Sequence, residues 1–148
     1  LRADARLPVS VSLVDGGTLG LDLLHPLEGA THLLALDAID TGAAPGTLLR
    51  FAGEAIGDLP VAKSVHLLGF SDLIGALRLT GNAPVEIVVL GVQPEATGWG
   101  TQLTPGVESA LQKLIESALT QVERWRAEMP DLAPAGYTEQ VQASAIAG

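Results

Sequence analysis

Strands alternating with helices along a single chain predict an α/β fold, with a parallel or mixed sheet covered on both faces. Three observations lead there. Apolar runs at 33–36 and 85–92 have the length of strands. Apolar positions between Val107 and Val122 recur at spacings of three and four, which is the period of a helix. The chain has 148 residues, 47% hydrophobic and 17% charged, which is enough for one self-supporting domain and too apolar for a disordered one.

The elements follow in order. The opening Leu-Arg-Ala-Asp-Ala-Arg reads as the last turn of a helix. Val9 to Asp15 alternates apolar and small polar residues, the pattern of a strand, and stops at Gly16-Gly17, where the backbone turns or approaches a neighbour closely. Thr18 is placed to cap a short helix over 19–24, which Pro26 and Gly29 end. Leu33-Leu34-Ala35-Leu36 is apolar on both faces, as in a buried strand, and leads into Asp37 and Asp40. Residues 41–46 make a turn, and 47–51 a less buried strand near an edge. Residues 53–69 have weak periodicity. Ser71 then caps a helix over 72–79, closed by Gly81-Asn82 and Pro84. Val85 to Val92 is the clearest buried strand. Residues 93–103 form a loop holding Trp99. Thr104-Pro105 starts a helix of about six turns, cap first and proline next. Residues 129–148 are rich in Ala, Gly and Pro without a sustained period and read as a tail.

Composition excludes several classes. Eight Lys+Arg against 17 Asp+Glu, a net charge of -9, argues against nucleic acid or an anionic membrane as partner. The absence of cysteine removes disulfides, thiolate metal sites and cysteine nucleophiles. No run approaches the roughly 18–20 apolar residues of a membrane span, so a soluble, cytoplasmic protein is the expectation. Phosphate loops, a dinucleotide fingerprint after a strand, a His-Glu-x-x-His helix and a Gly-x-Ser-x-Gly elbow are all missing.

In open α/β sheets, sites form at the carboxyl ends of strands. There the sequence puts Asp15, then Asp37 and Asp40, then Gln93 and Glu95. Asp in such positions is also an ordinary turn residue. Of the three histidines, His25 and His32 read as exposed or structural. His66 lies just before a helix, from where an imidazole can reach the strand ends or simply bond a backbone carbonyl. Carboxylate and imidazole suit Zn, Ni and similar borderline ions. Asp37 and His66 make only two ligands, where a catalytic metal takes about three from protein.

Five segments, in order and spacing, match one known family. They are Asp15-Gly16-Gly17-Thr18-Leu19-Gly20; Leu36-Asp37-Ala38-Ile39-Asp40 with Pro45-Gly46-Thr47; Ser64 to Asp72; Leu90 to Glu95; and Leu103-Thr104-Pro105. Over about residues 7–126 the chain resembles the maturation endopeptidases of nickel–iron hydrogenases. The resemblance implies a three-layer α/β/α sandwich with a mostly parallel sheet in residues 1–128, followed by the tail 129–148. It implies a nickel-dependent endopeptidase that removes the C-terminal extension of the hydrogenase large-subunit precursor, working as a monomer on that partner. Nickel is presented by the substrate, and Zn or Cd can occupy the same site.

By motif, the resemblance makes Asp37 and His66 the metal ligands and catalytic residues. Asp15, Gly16, Gly17 and Thr18 become a loop that shapes the site. The family's first acidic ligand sits in a Gly-x-Gly-Asn motif after its first strand; that motif, that strand and most of the first helix are absent here and are expected before Leu1. Two other readings compete. One is a module of the same fold that docks on the precursor without cleaving it. The other is a flavodoxin-like ligand binder, weakened by the lack of a phosphate cradle or an aromatic stacking pair.

Overall fold

A computed structural model of the chain describes residues 4–17, 20–60, 65–95 and 105–129, with the side chains of Val65 and His66 outside the description. Thr18, Trp99, the Thr104 cap and residues 130–148 therefore lie outside the described residues. The described elements run β1 (His32–Ala38), β2 (Leu48–Ala52), α1 (Val65–Leu79), β3 (Glu86–Val92) and α2 (Pro105–Glu128), with 3-10 turns at Gly20–Leu23 and Gly53–Asp58.

The strands form one sheet in the order β1-β3-β2. β3 is the central strand and the most buried: six of its seven positions, Ile87 to Val92, are buried. It pairs in parallel with β1, Asp37 lying opposite Gly91. It pairs antiparallel with β2, Leu49 lying opposite that same Gly91. The sheet is thus mixed, which corrects the expectation of a mostly parallel one among the described residues. The reason is the connection. Residues 39–47 cross the end of β3 and turn straight back, whereas a parallel return needs a crossover of roughly a dozen residues or more.

Alternation along the strands divides the core between two helices. Val88, Leu90 and Val92 pack with Ala110, Leu114, Ala118 and Trp125 of α2. Val89 packs with Ile39, Leu59 and Leu67, and Ile87 with Leu73, Ile74 and Leu77, on the α1 side. The two helices cover opposite faces of the sheet. Among the described residues no helix is long and apolar enough to cross a membrane.

Four local expectations are corrected. Residues 9–15 are not a strand: alternation alone gives no ladder partner, and Val9 at 76%, Leu13 at 39% and Val14 at 44% exposure bury too little to hold an edge. The short helix after Gly17 is a single 3-10 turn. α1 starts at Val65, about two turns before the predicted cap at Ser71, so His66 stands in a helix rather than in a loop. β1 is half-buried rather than covered on both faces, since among the described residues it pairs on one edge only.

Candidate functional site

Asp37 is the sixth residue of β1, at the carboxyl end of the strand, and is half-buried. It shares a face with Ala35, which packs in the cluster of Ile39, Leu67 and Val89, so it points toward the α1 side. Its Oδ1 accepts the N–H of Ala38 at 2.8 Å, which fixes the carboxylate against the end of its own strand.

Two features make room at this position. Gly91, across the ladder from Asp37, carries no side chain, and Ile39 fills the space: a Cβ on Gly91 would lie 2.5 Å from Ile39 Cδ1. Ile39 itself is fully buried. The chain can therefore leave β1 directly over β3, its Ile39 N–H bonded to the carbonyl of Val92 at 3.0 Å.

His66 is the second residue of α1, and its neighbour Leu67 packs against Ile39, two residues beyond Asp37. The first turn of α1 and the carboxyl end of β1 thus meet across one apolar cluster. One turn beyond His66, Gly69 touches the backbone of Gly20; a Cβ on Gly69 would come within 3.3 Å of Gly20 Cα. This contact ties the Asp15 loop to α1. Asp15 Oδ1 accepts the Gly17 N–H at 3.2 Å, and Gly17 has a φ of 44°, so the loop folds as a tight turn on its own aspartate. Asp37 stands near the end of β1, His66 in the first turn of α1, and the Asp15-Gly16-Gly17 turn just before the Gly20 contact with Gly69; Thr18 lies outside the described residues.

The other strand-end polar residues have a different task. Gln93 is 4% exposed. Its Oε1 accepts the N–H of Thr41 at 2.8 Å, the Thr41 hydroxyl at 3.1 Å and the N–H of Ala43 at 3.2 Å. Its Nε2 donates to Asp40 Oδ1 at 3.0 Å and to the Pro94 carbonyl at 3.1 Å. Its backbone holds Gly46 and Thr47 at 2.9 Å each. Gln93 and Asp40 organise the 40–47 loop beside Asp37. The signal for this was a lone glutamine directly after a continuous apolar strand, a position where a buried side chain needs every polar atom matched.

His25 is exposed and lies 3.5 Å from Glu28. His32 packs against Trp125, ring centroids 4.9 Å apart, on the α2 side. Neither joins the site. As a metal centre, the described side chains offer the Asp37 carboxylate; no group of three His, Cys, Asp or Glu stands together among the described residues. Asp37 with the His66 position supplies a donor chemistry that suits a borderline divalent ion.

Comparison with known proteins shows what the chain is similar to. A family model described as hydrogenase maturation protease matches residues 1–121. The hydrogenase expression/formation protein HoxM of Cupriavidus necator is 39% identical over 118 residues, 78% of this chain and 58% of that protein. The hydrogenase 2 maturation protease of Escherichia coli is 38% identical over 115 residues, 76% of this chain and 70% of that protein. The solved structure of the hydrogenase maturating endopeptidase HybD from E. coli aligns with a TM-score of 0.75 at 35% identity, covering 80% of this chain and 74% of that one. The chain spans less than two thirds of the length of the HoxM relative.

Proposed function

The chain belongs to the hydrogenase maturation protease family, and from that premise we propose that it acts as an endopeptidase that removes the C-terminal extension of a nickel–iron hydrogenase large-subunit precursor. The observation that carries the reading is the convergence at the carboxyl end of β1. Ile39, two residues beyond Asp37, and Leu67, next to His66, share one apolar cluster, and Gly69, one turn on, meets Gly20 of the segment that follows the Asp15-Gly16-Gly17 turn.

In this proposal nickel arrives as part of the substrate. The carboxylate of Asp37 and the imidazole of His66 hold it, and Zn or Cd can take its place. The bonded Ala38 N–H keeps Asp37 in one orientation, so binding costs little reordering of that side chain. The metal is then the check on loading: a precursor without it lacks the bridge to Asp37 and His66 and is not held. When bound, such an ion can also lower the pKa of an attacking water. Leu68 at 52% exposure on α1 and Leu21 at 51% on the adjoining turn leave apolar surface beside the site for the precursor chain. The three-layer sandwich, with the mixed sheet of the described residues within it, belongs to this proposal as the architecture of the whole protein.

The test is processing of nickel-loaded precursor, followed by mass spectrometry of the large subunit. Asp37→Asn and His66→Ala are each expected to slow trimming by at least about 100-fold. Normal trimming by either variant would remove that residue from the site. A wild-type chain that binds the loaded precursor but leaves it full-length would make this a docking module instead.

A further inference from the structure

A second cavity lies on the opposite face of the sheet, between β2 and α2. It has a volume of about 430 Å³ and is lined by Leu48, Arg50, Leu90, Leu114, Thr120 and Gln121, among others. Arg50 shares its strand face with Ala52, which packs on the α2 cluster, so this cavity is separate from the Asp37 side. It does not rest on the peptidase reading.

Its polar side is unfinished. Gln121 is 7% exposed, in the middle of α2. Its Oε1 accepts from the Arg50 guanidinium at 3.2 Å, which fixes the orientation of the amide. The other end, Nε2, is buried without an acceptor among the described residues. A buried donor left unmatched is costly to the fold. Arg50 meets no carboxylate among the described residues; its side-chain hydrogen bond is to a neutral amide. The other charges on the rim are already committed: Glu116 accepts from Arg6 at 2.9 and 3.0 Å, and Arg124 is paired with Glu86. The cavity therefore carries one uncompensated cation and one orphan N–H over a floor of Leu48, Leu90 and Leu114.

We propose that this cavity binds the C-terminal carboxylate of an extended peptide, with the side chain of the last residue on the leucine floor. A guanidinium grips a carboxylate through two parallel hydrogen bonds. The carboxylate replaces Gln121 Oε1 on the guanidinium, and the amide, released from Arg50, turns its Nε2 to the second carboxylate oxygen as its missing acceptor. A chain terminus fits better than an acidic side chain because of the ladder register: Arg50 stands directly opposite Leu90. The charged and apolar partners of the ligand must then be immediate neighbours, as the terminal carboxylate and side chain of one residue are, whereas a glutamate holds its charge at the end of its own stem.

The experiment is a side-chain NMR titration of the labelled chain, following the Arg50 Nε–H and the Gln121 amide protons, with three blocked dipeptides. These are N-acetyl-Leu-Leu as free acid, the same peptide as amide, and N-acetyl-Glu-Leu-amide. The free acid is expected to shift both signals and to bind at least about tenfold tighter than either amide. Arg50→Gln and Gln121→Glu are each expected to lose that preference, the first by removing the cation and the second by pairing with it inside the chain. Arg50→Lys, which keeps the charge without the fork, is expected to regain part of it. Equal binding of acid and Leu-Leu amide would leave an apolar groove only and overturn the proposal. Equal binding of the Glu peptide would overturn the terminal carboxylate. An unmoved Arg50 signal up to about 10 mM peptide would overturn both.

Discussion

Gln93 shows how one buried polar side chain can position a site it does not enter. Five of its side-chain hydrogen bonds hold residues 40–43 and 94, and its backbone holds 46 and 47. Replacing it with Leu of similar size takes the acceptor from the Thr41 and Ala43 N–H groups and one donor from Asp40, which keeps its bond from the Gly42 N–H. Gln93→Leu is expected to lower the stability to chemical unfolding by about 2–4 kcal/mol, read as a reduced denaturation midpoint at unchanged slope. Sequence reading placed Asp37 at a strand end correctly, because β propensity ends there and an acidic residue follows. Position at the strand end did not separate Asp37 from Asp40; only the motif singled out Asp37. Both follow the same strand, and only the fold gives Asp40 to Gln93 while Asp37 faces α1.

At the scale of elements, α2 is locked to the sheet by a polar clamp as well as by its apolar stripe. Glu86, the first residue of β3, accepts from the Trp125 indole N–H at 2.7 Å and pairs with Arg124. Burial works against its ionisation, but the Trp125 and Arg124 bonds outweigh it and hold the carboxyl below its ordinary value of 4.5. A carboxyl whose pKa is lower in the folded state stabilises the fold above the ordinary value, and that stabilisation is lost as pH falls through the lowered one. The hydrogen bonds from Arg6 likewise hold Asp4 at about 2, and they lower Glu116. Thermal stability is therefore expected to drop from about pH 7 to about pH 3. Glu86→Gln, which still accepts from Trp125, is expected to be less stable near neutrality and to show a smaller drop, leaving the part due to Asp4 and Glu116. An unchanged drop, measured by calorimetry, would take Glu86 out of the acid transition.

α1 is where element reading from the sequence fell short. Its first two turns, Val65 to Phe70, include Gly69, a weak helix former, and lack a strong apolar stripe. The glycine is there for the contact with Gly20, and packing of Leu67 and Phe70 on the sheet outweighs local propensity.

For the whole molecule, the arrangement centres on β3. It is paired on both edges and covered on both faces, while β1 and β2 each pair on one edge among the described residues. Amide exchange is expected to grade accordingly. Val88 to Leu90 should open only with global unfolding, and the outward-facing amides of β1 and β2 by smaller local openings. Exchange of β3 as fast as that of β2 would contradict a core built on the central strand.

The sequence by itself determined the buried central strand, the long helix from Pro105, the strand-end aspartate and the family resemblance. Each depends on local pattern: a continuous apolar run, a sustained helical period, or residues fixed in order along the chain. The tertiary structure alone decided that β2 runs antiparallel, that His66 stands in a helix, that 9–15 forms no strand, and that Arg50 and Gln121 bond to each other in the lining of one cavity. These are decided by which segments find partners. Pairing and packing join residues far apart in the chain, 71 positions in the case of Arg50 and Gln121, and no local pattern carries that information.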